Sequence, residues 1–266
     1  MPYAKSGEVN IYYEVDGEGE PITFQHGLTN SLEDWRDFGF VDALKDDYQL
    51  ILIDALGHGK SDKPHDSKYY GSNSVRDIIA VLDDLNISTT HYFGYSMGGG
   101  IGLQLASLFP ERLKSLIIGG AGPVAMVDGD TRNKLVQALE GGPNALVDFI
   151  EPSGPLSPER KTRIMANDFA ALLARVKTPV FPTETPSSPA PNDVSSLSST
   201  TISFLVFVGE ADQFFSHEEL KEAYNIVSDL TFFTLPGLDH MQAEQRSDLI
   251  VPHVKEFLAR VENKGA

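Results

Sequence analysis

A hydroxyl, an imidazole and a carboxylate, each placed just past an extended apolar run, are what nucleophilic catalysis requires, and this chain supplies one of each. The run "HYFGY" leads into Gly94-Tyr95-Ser96-Met97-Gly98, a G-x-S-x-G pattern with Gly99, Gly100 and Gly102 behind it. A strand that turns sharply into a helix strains the residue at its apex. Side chains two residues to either side would collide there, so glycine is needed at 94 and 98. The strain lifts the Ser96 hydroxyl clear of the sheet, and the helix start beneath it favours negative charge. A hydroxyl is a poor nucleophile near neutrality and needs a base. Of the seven histidines, His240 in "LPGLDHM" lies just past the final strand pattern, on a glycine-marked loop. His253 falls inside a helical pattern, and His217 opens one. The imidazole needs a carboxylate to fix its tautomer. Asp212 ends "FLVFVGEAD", with Glu210 as its main rival, while Asp239, adjoining His240, reads as solvent-exposed.

These residues need a scaffold. "VNIYYEV" and "PITFQHG" read as strands joined by a tight turn at "EVDGEGEP". "YQLILID" is a short apolar run suited to a strand buried on both faces. Residues 72–85 place apolar side chains three and four apart, as an amphipathic helix does. Residues 101–109 read as a helix stopped by Pro110, and "LKSLIIGG" as another strand. Strand and helix alternate, which predicts an α/β fold with a mostly parallel central sheet flanked by helices. Ligands of such sheets gather at the carboxyl ends of the strands, where Ser96, Asp212 and His240 fall. From 123 to 176 only helical patterns occur, such as "TRNKLVQALE" and "PERKTRIMANDFAALLARV", followed by a Pro/Ser/Thr-rich stretch. Residues 202–212 and 230–237 restore the strand signal, and 248–261 read as a last helix. The expected organisation is a core of residues 1–122 and 201–266, with 123–200 as a helical cap or lid with a Pro/Ser-rich return segment.

Composition narrows the function classes. The chain has 266 residues, 21 Lys+Arg against 38 Asp+Glu, a formal net charge of -17 and no cysteine. Nucleic acid and anionic membrane surfaces repel such a chain, so neither is an expected partner. Thiolate chemistry is excluded. No run of 18 or more apolar residues occurs, and "MPYAKSGEVNIYYEV" lacks a signal-peptide pattern, so the expectation is a cytoplasmic protein. No HExxH, dinucleotide or P-loop pattern is present, so no metal or other cofactor is expected.

Taken together, "HGLT" after an early strand, "DALGHGKSD" after the next, "GYSMGG", "GEAD" and "PGLDHM" resemble the α/β-hydrolase-fold serine hydrolases. The wording is closer to the carboxylesterase and 3-oxoadipate enol-lactonase branch than to lipases. The likeness covers nearly the whole chain outside the insertion, although the family's usual "HGGG" is replaced by His26-Gly27-Leu28. The resemblance implies the α/β-hydrolase fold, and a serine hydrolase that cleaves a small to medium carboxylic ester or lactone through an acyl-enzyme. It implies that His26 and Gly27 shape an oxyanion loop, and that the backbone N–H groups of Leu28 and Met97 form the oxyanion hole. Trp35, Tyr95, Met126, Leu135, Leu139, Phe149 and Met241 are candidates to line the pocket; Trp35 reads equally as core, and the residues of the insertion as packing of the lid. Two other readings stay open: the same serine, imidazole and carboxylate cutting an enol-lactone, C–C or amide bond, and a small-molecule receptor of this fold with little turnover. The substrate itself and the oligomeric state are not legible.

Overall fold

Alternation along the strands sorts their side chains into two cores. The structure is a computed structural model that describes residues 2–123, 129–178, 195–198 and 200–265. Its strands are β1 (Tyr3–Ser6), β2 (Val9–Asp16), β3 (Glu20–Gln25), β4 (Tyr48–Ile53), β5 (Thr90–Tyr95), β6 (Leu113–Gly119), β7 (Ser203–Gly209) and β8 (Leu230–Leu235). They form one sheet in the order β1-β2-β4-β3-β5-β6-β7-β8. β2 runs antiparallel to both its neighbours, and β4, β3, β5, β6, β7 and β8 all run parallel. Successive strand side chains point to opposite faces. Ile51, Ile53, Tyr92, Leu116, Ile118, Phe204 and Val206 therefore enter one core, and Leu50, Leu52, Phe93, Ile117, Leu205 and Phe207 the other. Burying one such side chain fully contributes roughly 1.5–3 kcal/mol.

Helices cover both faces. α1 (Leu32–Asp37) and α2 (Phe40–Leu44) lie over the second core, α3 (Ser74–Asp84) and α4 (Met97–Leu108) over the first. Between β6 and β7 come α5 (Gly129–Glu140), α6 (Pro143–Ile150), α7 (Pro158–Met165), α8 (Phe169–Lys177) and α9 (Ser195–Ser198). α10 (His217–Tyr224) precedes β8, and α11 (His240–Glu244) and α12 (Ser247–Gly265) follow it. Among the described residues no helix is long and apolar enough to cross a membrane.

Four local expectations change. β2 and β3 are consecutive but do not pair, because β4 lies between them. The helix expected from residue 101 begins at Met97, since its glycines dilute the apolar period without preventing a helix. The single helical pattern over 158–176 is two helices, broken where Asp168 caps α8 by accepting from the Ala171 N–H at 3.0 Å. β1 carries too few residues for a period and was not expected. Most of the Pro/Ser-rich segment lies outside the described residues.

Candidate active site

The serine stands on a strained turn in the middle of the sheet. β5 ends at Tyr95, α4 starts at Met97, and Ser96 between them has φ 51° and ψ −112°. Such a conformation costs a non-glycine residue about 1–3 kcal/mol and persists where the surroundings hold it. They do so closely. A Cβ on Gly94 would sit 2.3 Å from the Gly98 carbonyl oxygen, and one on Gly98 would sit 2.0 Å from the Gln25 carbonyl oxygen. The Ser96 N–H donates to the Gly119 carbonyl at 2.8 Å, tying the turn to β6. Tyr95 and Gly98 are buried, while Ser96 and Met97 are half-buried and open to solvent.

Asp212 and His240 reach this serine from beyond the ends of β7 and β8. His240 Nε2 lies 2.9 Å from Ser96 Oγ, and His240 Nδ1 lies 2.7 Å from Asp212 Oδ2. Asp212 Oδ1 accepts the N–H groups of Phe214 at 2.8 Å and Phe215 at 3.0 Å. An ionised carboxylate only accepts, so Oδ2 takes the Nδ1 proton and Nε2 faces the hydroxyl as an acceptor. Burial disfavours the imidazolium. The charge and hydrogen bond of Asp212, with Glu244 and Asp239 adding, outweigh burial and raise the pKa of His240 above the usual histidine value. The ring is wedged by Phe214 at 4.7 Å and Tyr95 at 5.2 Å between centroids. Tyr95 also donates its hydroxyl to the His240 carbonyl at 2.6 Å. His240 opens α11, and Asp239 caps that helix by accepting from the Gln242 N–H.

A loop after β3 closes the other side. A Cβ on Gly27 would lie 3.6 Å from Ser96 Cβ, so this loop runs alongside the serine. The His26 ring holds the loop: Nδ1–H donates to the Gly27 carbonyl at 2.8 Å, and Nε2 accepts the Ala55 N–H at 3.1 Å. Burial keeps His26 neutral, so its 4.0 Å approach to Asp54 is not an ion pair. Thr29 in this loop has φ 73°, a strained conformation like that of Ser96 on its turn. Asn30 donates to Glu244 Oε1 at 2.6 Å, linking the loop to the far end of α11. Burial pushes the Glu244 carboxyl up to about 7. Behind them Arg160 on α7 forms a buried ion pair with Asp34 at 3.1 Å. Met97 is the first residue of α4, so its N–H has no acceptor within the helix. Leu28 is half-buried in the loop after β3. Among the described residues no group of His, Cys, Asp or Glu side chains is arranged to hold a metal ion.

A family profile described as alpha/beta hydrolase fold matches residues 20–154, just over half of the chain. The chain belongs to the α/β-hydrolase-fold family. This α/β-hydrolase-fold protein is 28% identical over 276 aligned positions to the cis-3-alkyl-4-alkyloxetan-2-one decarboxylase of Shewanella oneidensis, covering 95% of this chain and 86% of that one. It is 32% identical over 149 residues to a provisionally named 2-succinyl-6-hydroxy-2,4-cyclohexadiene-1-carboxylate synthase of Bacillus subtilis, covering 54% of this chain. The match spans about half of that relative's own length, 52%. The enol-lactonase of Burkholderia xenovorans shares the fold with a TM-score of 0.81 at 20% identity, covering 97% of this chain and 100% of that one.

Within this α/β-hydrolase-fold protein the residues singled out from the sequence divide. Ser96, His240 and Asp212 meet. Glu210 turns away and accepts the Gly237 N–H at 2.9 Å, bracing the loop before α11. Asp239 is a half-buried helix cap rather than a solvent-exposed residue. His253 stacks on Phe233 from an exposed face of α12, and His217 starts α10; neither approaches Ser96. Trp35 does not line a pocket. It is 2% exposed and packs within 5.0–5.1 Å of the Phe24, Phe40 and Phe93 rings, because α1 turns its apolar side to the sheet. Tyr95, as the last residue of a central strand, is likewise buried and supports His240 from below. Leu135 and Leu139 are buried among α5, α6 and α8, where they hold the inserted helices together. Phe149 and Met241 are half-buried at the margin of the same core. Met126 lies outside the described residues. Glu244 and Asn30 were not singled out; the four-residue step from His240 to Glu244 along one helix face was the available signal.

Proposed function

We propose that this protein is a serine hydrolase that cleaves a small or medium carboxylic ester or lactone through an acyl-enzyme. The observation that carries the reading is the continuous Ser96–His240–Asp212 hydrogen-bond chain, 2.9 and 2.7 Å, ending at a half-buried hydroxyl on a strained turn. Ser96 Oγ attacks the carbonyl carbon while His240 Nε2 takes its proton. Asp212 holds the ring and stabilises the imidazolium that forms. Negative charge moves to the former carbonyl oxygen, which receives the N–H groups of Leu28 and Met97; one such donor is typically worth ~10²–10³ in rate. His240 then returns its proton to the leaving alcohol, and water repeats the cycle on the acyl-enzyme. Residues 123–200 act as the lid that shapes the pocket for a small molecule.

Lactones stay in the assay panel because the relative matched over 95% of this chain is named for an oxetan-2-one, a four-membered cyclic ester. Ser96→Ala is expected to abolish sustained turnover of p-nitrophenyl butyrate. A fluorophosphonate probe should label the wild type and spare the variant. Equal labelling of both proteins refutes the assignment. A single stoichiometric burst without further turnover would instead mark a receptor.

A further inference from the structure

Two buried arginines descend from the inserted helices toward the core, and among the described residues only one of them has a counter-charge. Arg160, 5% exposed, is paired with Asp34. Arg175 on α8, 3% exposed, has no carboxylate within ion-pair distance among the described residues. Its Nε donates to the Sδ of Met97, the residue next to Ser96, and its Nη1 donates to Ser74 Oγ at 3.1 Å. Its Nη2 is buried and has no acceptor among the described residues. The Tyr70 ring lies 5.7 Å from the guanidinium carbon. Asp77 is the acid whose field is felt most, and burial raises its own pKa to about 6, which weakens it as a counter-ion.

A buried cation without a partner is costly, typically by several kcal/mol, and burial pulls Arg175 down to about 10. Packing does not account for it, because a methionine of similar length would fill the same space without that cost. A planar guanidinium with an unpaired Nη2 and a second N–H on Nη1 matches a carboxylate, which accepts two parallel hydrogen bonds. Its Nε contact with Met97 sets the guanidinium against the side chain that adjoins the nucleophile.

We propose that Arg175 is the receptor for a carboxylate carried by the substrate, so that the hydrolase acts on esters or lactones of carboxylate-bearing acids. The proposal rests on the reading of Ser96 as nucleophile, and its substrate class is anionic although the chain itself is strongly acidic. An internal cation without a counter-charge among the described residues then selects the anion that the outer surface repels.

The test compares mono-p-nitrophenyl glutarate with p-nitrophenyl butyrate, an anionic and a neutral ester of similar chain length. The ratio of their kcat/KM values is expected to favour the glutarate ester and to fall roughly 10- to 100-fold in Arg175→Met. Arg175→Lys, which keeps the charge and loses the fork, should fall in between and also serves if the methionine variant does not fold. A merely structural arginine would slow both esters alike and leave the ratio unmoved, which overturns the proposal. Binding is read separately in Ser96→Ala by calorimetry with succinate, glutarate and adipate. Binding of at least one that vanishes when Arg175→Met is added supports the carboxylate site, even if no ester is turned over and the hydrolase reading fails. Ester turnover by the wild type with no dicarboxylate binding in Ser96→Ala overturns the site and leaves the hydrolase reading standing.

Discussion

Replacing Asp212 with asparagine changes one proton's address and little else. Asp212 Oδ1 accepts two backbone N–H groups, from Phe214 and Phe215. In Asp212→Asn the amide oxygen must occupy that place. Flipping the amide would set its NH2 against two buried donors, at about 1–3 kcal/mol for each N–H left unpaired. The NH2 therefore points at His240 Nδ1, 2.7 Å away in the native protein. It donates, so Nδ1 must accept, and the ring proton moves to Nε2. That proton now faces Ser96 Oγ, and the base has no lone pair to offer. The expected loss is ~10⁴ in kcat, about 5 kcal/mol of barrier, as when a triad aspartate is made asparagine elsewhere. The assay is kcat/KM for p-nitrophenyl butyrate from pH 5 to 9, with circular dichroism to verify the fold. In the wild type the acid limb should lie above the ordinary histidine pKa, because the Asp212 charge raises that of His240. In the variant the imidazolium loses that charge, so the limb of the residual rate moves to lower pH. A folded variant that keeps more than a tenth of the activity, or an acid limb that does not move, would refute the reasoning.

Two further outcomes follow from the same geometry. Gly98→Ala places a Cβ 2.0 Å from the Gln25 carbonyl oxygen at the end of β3 and should destabilise the fold by about 2 kcal/mol or more; an unchanged urea midpoint would contradict this. Glu244 has a folded pKa of about 7, above the ordinary carboxyl value of 4.5, so the folded state holds its proton more tightly than the unfolded state. Its contribution is full below pH 4.5 and is lost as the pH rises to 7, by up to about 3 kcal/mol. Glu244→Gln should flatten that decline in urea midpoints, and an identical pH slope in both proteins would exclude Glu244 as its source.

The meeting of Ser96, Asp212 and His240 was legible because each follows a strand of one parallel sheet, and chain order then places all three at the same edge. Glycines marked the turn because backbone from two other segments crowds it, a constraint that acts on residue type. Arg175 was not legible. Its helix carries Leu172 and Leu173 as well, and no local period says which side will meet Met97. Trp35 was ambiguous for a similar reason: an aromatic residue after a functional loop serves a core as readily as a pocket, and only the tertiary placement of Phe24, Phe40 and Phe93 decided it. The pairing of β2 with β4 rather than β3 is a long-range choice that two adjacent strand patterns and a turn cannot reveal.

The helix α11 is only five residues long, yet its first residue touches the serine and its last is tethered to the loop running past Gly27. The imidazole and the proposed oxyanion loop are thus mounted on a single short lever. A tilt of that lever disturbs proton transfer and charge stabilisation together, so lesions between 240 and 244 should compound in rate where lesions elsewhere in the scaffold simply add.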